Sequence, residues 1–401
     1  MTVIERSYRG PLRHLLLLGG AMFLVGTNAF VIAGLLPRIS VALHTTQAAV
    51  SYTVTAYSLV VAVAAPAIAI LLPRLPQRVL MAAGAGLFAV GTAITAIGSD
   101  LGWFAVGRIL AALGGAALVP TATAVGAELA TPDRRGRALA IVGAGFTLAT
   151  ALGAPLGTAA GSVFGWRMPL AVLALAGAAI VVPLLALFRM PGRGITPNLR
   201  TRFAPLADPR ILLTLIAFAL AVAAFNVVYI FSGQVTAAAT GGSGTHLAAL
   251  LLAFGAGGVA GNLAAGAITD RLGGSTAALI ALAVQLLALG LIAPLEADYP
   301  ALLLAFVVWG AASAAISIPV QHRLVSIAPS AAAVTMSWYS TALYLGIALA
   351  PPLGNAAAAL GGALLIPLTG AAATIAAVVL LLAGHARRSR EAGAEAVATR
   401  D

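Results

Sequence analysis

Long apolar runs separated by short polar segments succeed one another along the whole chain. A hydrocarbon core of ~30 Å takes ~20 residues of α-helix. On that ruler the pattern predicts twelve spans, over 14–36, 48–72, 79–98, 102–127, 137–161, 168–188, 211–235, 246–268, 275–293, 300–325, 331–353 and 363–384. The runs are rich in Ala, Leu and Gly and about twice the length of a membrane-barrel strand, so they predict helices and not strands. The first run is too long for a signal-peptide core, and no A-x-A site followed by a soluble domain appears. It reads as a retained span.

The longest polar interruption, RMPGRGITPNLRTRFAPLADPR at 189–210, carries five arginines and four prolines. It predicts a six-helix half over 1–188, a linker over 189–210, a second six-helix half over 211–385 and a tail over 386–401. With the N-terminus inside, 19 of the 22 arginines fall in inside segments; Arg38 and Arg167 lie outside and Arg108 within a span. The positive-inside rule therefore predicts cytoplasmic termini and a cytoplasmic linker, in a multi-pass protein of a cell's inner membrane. A weak repeat relates the halves: AILLPRLPQR at 69–78 follows the second span and GAITDRLGGS at 266–275 follows the eighth. Parallel repeats of this kind are expected to bring a substrate site to the midplane between them.

Composition sharpens this picture. The chain is 61% hydrophobic and 8% charged, with a mean hydropathy of +1.05. A soluble domain is roughly 25% charged, so a soluble enzyme and a disordered chain are both excluded. The net charge of +11 would suggest nucleic acid in a soluble protein. Here every basic residue is arginine and nearly all sit in short loops, so they are topology signals and no nucleic-acid partner is expected. The absence of cysteine removes disulfides, thiolate metal sites and cysteine nucleophiles. The five histidines lack metal-ligand spacing, so no metal is expected. Without lysine there is no Walker lysine, and no cofactor or ATP drive is expected within this chain. No span carries an acid–base pair, which argues against an enzyme.

The polar residues inside the spans carry the candidate chemistry. Arg108 is a charge about six residues into the fourth span. Burying it costs on the order of 2.5–3.5 kcal/mol on insertion scales. It either faces a polar cavity or partner, or snorkels to the headgroups. Ser337, Ser340, Thr341 and Tyr344 share a face of the eleventh span, and Trp309, Ser313 and Ser317 share one in the tenth. Asn226 and Tyr229, with Gly233 four further on, mark the seventh; Asn28 marks the first and Tyr57 the second. Each serves as interhelical glue or as a ligand contact. Together they describe an aromatic, mostly uncharged pocket for a small-molecule substrate. Gly153, Gly157 and Gly161 line one face of the fifth span around Pro155, which suits tight packing, a bend, or both. The loose dinucleotide patterns from Gly84 and from Gly255 lie within spans and read as packing glycines.

The segment from Gly266 through Asp270 and Arg271 to Gly273 resembles the G-x-x-x-D-R-x-G element of the major facilitator superfamily, in which it latches the cytoplasmic gate. The glycine there is expected to let a neighbouring helix approach. The first-half copy keeps Arg74 and Arg78 but has Ala69 and Pro73 in place of Gly and Asp. The run from Gly26-Thr27-Asn28-Ala29-Phe30 to Gly34-Leu35-Leu36-Pro37 is similar to the first helix of arabinose-efflux-like and chloramphenicol-resistance-like drug:proton antiporters, G-T-x-E-F-x-x-x-G-L-L-P. The stretches Gly153-Ala154-Pro155-Leu156-Gly157 and Gly165-Trp166-Arg167 are similar to that subgroup's fifth helix and following loop. Arg108-Ile109-Leu110 resembles the superfamily's fourth-helix arginine motif.

The resemblance implies the twelve-helix, two-half major facilitator fold and a bending fifth helix at Gly153, Pro155 and Gly157, while the polar faces of the spans predict a substrate site holding Asn28, Tyr57, Arg108, Asn226, Tyr229, Trp309, Ser313, Ser337 and Tyr344. It implies a secondary efflux transporter of neutral or lipophilic, drug-like molecules working by alternating access as a monomer in the bilayer. Ala29 stands where the subgroup has glutamate, so weak proton coupling is expected. A sugar or nucleoside efflux permease, or a non-transporting membrane sensor of the same fold, are the alternatives.

Overall fold

The computed structural model describes residues 3–72, 74–131, 134–188 and 202–398, with side chains from Leu12 to Gly384 apart from Ala333. Pro73, and positions 189–201 of the predicted linker, lie outside the described residues. The protein is all-α, and among the described residues there is no strand.

Among the described residues, twelve helices are long and apolar enough to cross a bilayer: span 1 Leu12–Ala42, span 2 Gln47–Leu71, span 3 Gln77–Ile97, span 4 Leu101–Glu128, span 5 Arg135–Phe164, span 6 Arg167–Leu187, span 7 Pro209–Ile230, span 8 Gly244–Leu272, span 9 Gly274–Ile292, span 10 Tyr299–Ile327, span 11 Val334–Gly361 and span 12 Leu365–Gly384. Each overlaps its predicted counterpart. Large apolar side chains such as Val63, Leu263 and Leu360 stand exposed, as a lipid solvent allows.

Helix starts explain three of the acids near the span ends. Asp100 caps span 4 by accepting from the backbone N–H of Gly102 at 2.8 Å and Trp103 at 3.0 Å. Asp208 caps span 7 through the Arg210 N–H, and Asp298 caps span 10 through Ala301. These carboxylates satisfy donors that a helix start leaves open.

Span 7 ends five residues earlier than predicted. It stops at Ile230, and two short helices follow, Ser232–Val235 and Ala237–Thr240. Gly233 is therefore off the face that carries Asn226 and Tyr229. Span 5 is broken by a π-helical turn at Ala149–Gly153, where the N–H of Ala154 reaches back five residues to the carbonyl of Ala149. The interruption sits ahead of Pro155, which occupies the first turn of the following helix, a position that tolerates proline.

The chain forms two compact units. One takes in Met1–Thr196, Ser232–Gln234 and Thr240–Gly255; the other takes in Pro197–Phe231, Val235–Ala239 and Ala256–Asp401. Small residues set the packing within each. In the first, a Cβ on Gly84 would come within 2.8 Å of the Gly114 carbonyl and one on Gly91 within 2.7 Å of the Gly107 carbonyl, so spans 3 and 4 touch backbone to backbone. The beginning of span 8 belongs to the same unit, because Gly255 lies directly on the backbone of Ala151 in the π turn. In the second unit Gly257 and Gly261 seat span 8 on the backbone of Val307 and Ala311 in span 10. The reading of these glycines as packing residues holds at Gly84, Gly255 and Gly257 and fails at Gly86, where a Cβ would meet open space.

Candidate functional site

Within the first unit, one polar chain crosses three spans. Arg108 on span 4 is fully buried, so its side chain does not snorkel to a membrane face. Its Nη1 donates to the Asn28 carbonyl at 3.0 Å and to Asn28 Oδ1 at 2.6 Å. Asn28 Nδ2 in turn donates to Thr92 Oγ1 at 3.2 Å, and Thr92 donates to the Phe88 carbonyl at 2.7 Å. The guanidinium lies 4.3 Å from the centroid of the Tyr57 ring on span 2, a cation–π stack. Asn28, Tyr57, Thr92 and Arg108 are all buried. In lipid a charge at this depth needs such partners.

The second unit holds an uncharged cluster. Gln285 on span 9 donates through Nε2 to the Ala221 carbonyl at 3.3 Å and to Thr374 Oγ1 at 3.2 Å, and accepts from Ser313 Oγ at 3.2 Å. Spans 7, 9, 10 and 12 are thus tied at one amide. Asn226 is buried and donates to the Val222 carbonyl of its own helix. Tyr229 and Trp309 are fully buried, Trp309 lying edge-on to Phe306 at 5.1 Å. On span 11, Ser337 is exposed and Tyr344 half-buried.

Sequence reasoning missed Thr92 and Gln285, the residues that join each cluster together. A lone amide within ALAVQLLALG was the available signal. It also counted Arg323, near the end of the predicted tenth span, among the inside-segment charges that set topology. Arg323 lies within span 10, is buried, and donates through Nε to Thr214 Oγ1 at 3.0 Å and through Nη1 to Ser275 Oγ. Hydroxyls of spans 7 and 9 make that burial possible.

The predicted latch residues are Arg74, Arg78, Gly266, Asp270 and Arg271. Arg74, Asp270 and Arg271 are exposed and Arg78 half-exposed. Gly266 has open space where a Cβ would stand, so the expected close helix approach is not there; the close approaches on span 8 fall at Gly255, Gly257 and Gly261. In the first-half copy, Gln77 is buried and donates to the Glu128 carboxylate of span 4 at 3.3 Å.

On span 5, side-chain Cβ atoms at Gly153, Gly157 and Gly161 would collide with Thr27, Val31 and Leu35, and one at Gly34 would collide with Thr158. This face is filled by span 1 of the same unit, four-residue ridge against four-residue ridge. The break in the α-helical hydrogen-bond ladder falls in the π turn ahead of Pro155.

Membrane spans with amides, hydroxyls and two arginines buried within them have the build of a membrane solute transporter. The chain belongs to the Major Facilitator Superfamily, whose family model matches residues 18–351. It is 30% identical to the inner membrane transport protein YdhP of Escherichia coli (strain K12) over 346 residues, 85% of this chain and 88% of that one. It is 33% identical to a chloramphenicol resistance protein of Streptomyces lividans over 343 residues, 84% and 87% of the two chains. Its backbone is similar to the crystal structure of the nucleoside transporter NupG, with a TM-score of 0.73 at 15% identity, covering 93% of this chain and 98% of that one. The protein is thus a multi-pass transporter of this superfamily, with a small-molecule substrate and the bilayer as its surroundings, and not an enzyme.

Proposed function

We propose that this transporter exports neutral or lipophilic, drug-like molecules from the cytoplasm by alternating access, with weak proton coupling. The observation that carries the reading is the make-up of the buried polar clusters. They hold aromatic rings, amides and hydroxyls, the two arginines Arg108 and Arg323, and, among the described residues, no carboxylate. Such a lining suits uncharged solutes that carry hydrogen-bond acceptors. The likeness to a chloramphenicol resistance protein supports the same substrate class.

On this reading the substrate-binding residues are Asn28, Tyr57 and Arg108 in the first unit, and Asn226, Tyr229, Trp309, Ser313, Ser337 and Tyr344 in the second. Arg74, Arg78, Gly266, Asp270 and Arg271 govern the switch between states on the cytoplasmic side. The protein works as a monomer, with six-helix halves over 1–188 and 211–385. Both termini and the linker face the cytoplasm. Weak coupling follows from Ala29, together with the commitment of Asp100, Asp208 and Asp298 to helix starts.

The test is uptake into everted membrane vesicles, with chloramphenicol and a panel of neutral lipophilic compounds as probes. Accumulation above vesicles lacking the protein is expected for at least one probe. No uptake, together with no thermal stabilisation of the purified protein by any probe, would sink the export reading.

A further inference from the structure

Arg108 is left with donors to spare. Nη1 serves both Asn28 oxygens, whereas Nε and Nη2 are buried without an acceptor. The Tyr57 hydroxyl, at the end of the ring under the guanidinium, is buried without a partner as well. Leaving such groups unpaired away from water is costly, and most costly for the charged one. The Asn28 oxygens offer dipoles but no countercharge. Among the described residues no carboxylate pairs with Arg108, and Asp100, the nearest acid along span 4, is exposed and occupied by its own helix start. Gly115, seven residues beyond Arg108 and so on the same helix face, leaves the Tyr57 hydroxyl against bare backbone. A Cβ there would stand 3.3 Å from the hydroxyl oxygen and 3.2 Å from Val25 Cγ1.

We propose that Arg108 and Tyr57 form a buried binding site for a monovalent anion, which supplies the countercharge that the spans do not. Three unpaired donors and one fixed positive charge select against cations and reward an acceptor that is itself charged. Chloride from solution and the carboxylate of an organic acid share this chemistry. The inference goes beyond the export reading, because binding requires no transport and is measured without it.

The test follows thermal unfolding of the full-length protein in detergent at constant ionic strength, with the divalent anion sulfate replaced stepwise by chloride and, separately, by benzoate. A saturable rise in Tm is expected, as for any ligand that binds the folded state alone. Tyr57→Phe keeps the ring and its stacking, and should weaken the apparent Kd roughly tenfold, the worth of one hydrogen bond to a charged group. Arg108→Gln should lose the saturable response. A response to chloride identifies an inorganic ion and one confined to benzoate identifies an organic carboxylate; either upholds the site. No saturable response in the unmodified protein, or one that Tyr57→Phe leaves unchanged, overturns it, whatever the outcome of the vesicle experiment.

Discussion

Arg108 is the residue whose removal should cost most. It anchors the polar chain through Asn28 and Thr92 and stacks on Tyr57. Arg108→Ala is expected to abolish substrate flux while folded protein still reaches the membrane, and Arg108→Lys to restore it only in part, since a point charge cannot replace the planar fork. Full flux in the alanine variant, measured in vesicles at matched protein levels, would remove Arg108 from the transport path. One position from Asn28, the half-buried Ala29 bears on coupling. Ala29→Glu places a titratable group beside the arginine's partner and should increase the dependence of flux on an imposed pH gradient in proteoliposomes. Strong gradient-driven accumulation by the unmodified protein, surviving Glu128→Gln and Asp270→Asn, would show that protons are carried elsewhere. Arg108 was legible because a lone charge in an apolar run is rare. Thr92 and Gln285 were not, because a threonine hydroxyl can satisfy itself on its own helix and a single amide leaves hydropathy almost unchanged. Arg323 was misread for the converse reason: four residues from the end of its span, a charge looks like a loop charge until the hydroxyls around it are seen.

Among elements, span 7 owes its start to Asp208. Its carboxyl is held below the usual range, first by the Arg210 guanidinium hydrogen bond and then by the Arg210 and Ile211 backbone. A depressed folded pKa gives a contribution that is fully present above the unfolded value of ~3.9 and is lost as pH falls through the folded one. Asp208→Ala should therefore lower stability at neutral pH by about 1 kcal/mol, a common cost for a lost N-cap. The gap from the unmodified protein in thermal melts should close under acid conditions below that window; a gap that widens there would refute the assignment. The span 1–span 5 contact makes a second case. Gly34→Val drives a branched side chain into Thr158 and should destabilise by roughly 1–3 kcal/mol, the range for overpacking. Gly34→Val with Thr158→Ala should recover part of the loss in the same melts. The twelve spans could be read from the sequence because lipid demands ~20 apolar residues of any helix that crosses it. The end of span 7 could not, since the chain remains apolar through Phe231 while the helix stops.

For the molecule as a whole, the arginine asymmetry makes the strongest demand. Reporter fusions should report the 189–210 linker and both termini on the cytoplasmic side, and the 294–300 loop on the other. An external linker would break the proposed topology together with the direction of export. Superfamily membership follows from sequence matched over most of the chain, whereas substrate does not. The buried clusters are built from residues that serve equally as helix glue, and nothing in periodicity separates the two uses. The proposed cytoplasmic switch is open to the same kind of measurement. Asp270 is exposed, so Asp270→Asn should leave ligand affinity in a binding assay nearly unchanged while slowing flux. Equal flux would show that the acid takes no part in switching.

The π turn in span 5 has a consequence for how the chain may be edited. A turn that holds one residue more than its neighbours works as slack: five residues of π-helix cover about the rotation that four cover in an α-helix. An α-helix advances about 100° per residue. Deleting a single residue from Ala149–Gly153 would restore an unbroken α ladder and leave the later ridge of Gly157 and Gly161 facing Val31 and Leu35. The same deletion in the regular helix just after the turn would keep composition and hydropathy, yet swing that ridge about 100° and present the wrong stripe to span 1. Within span 5 the turn is where a residue can be lost without changing the stripe.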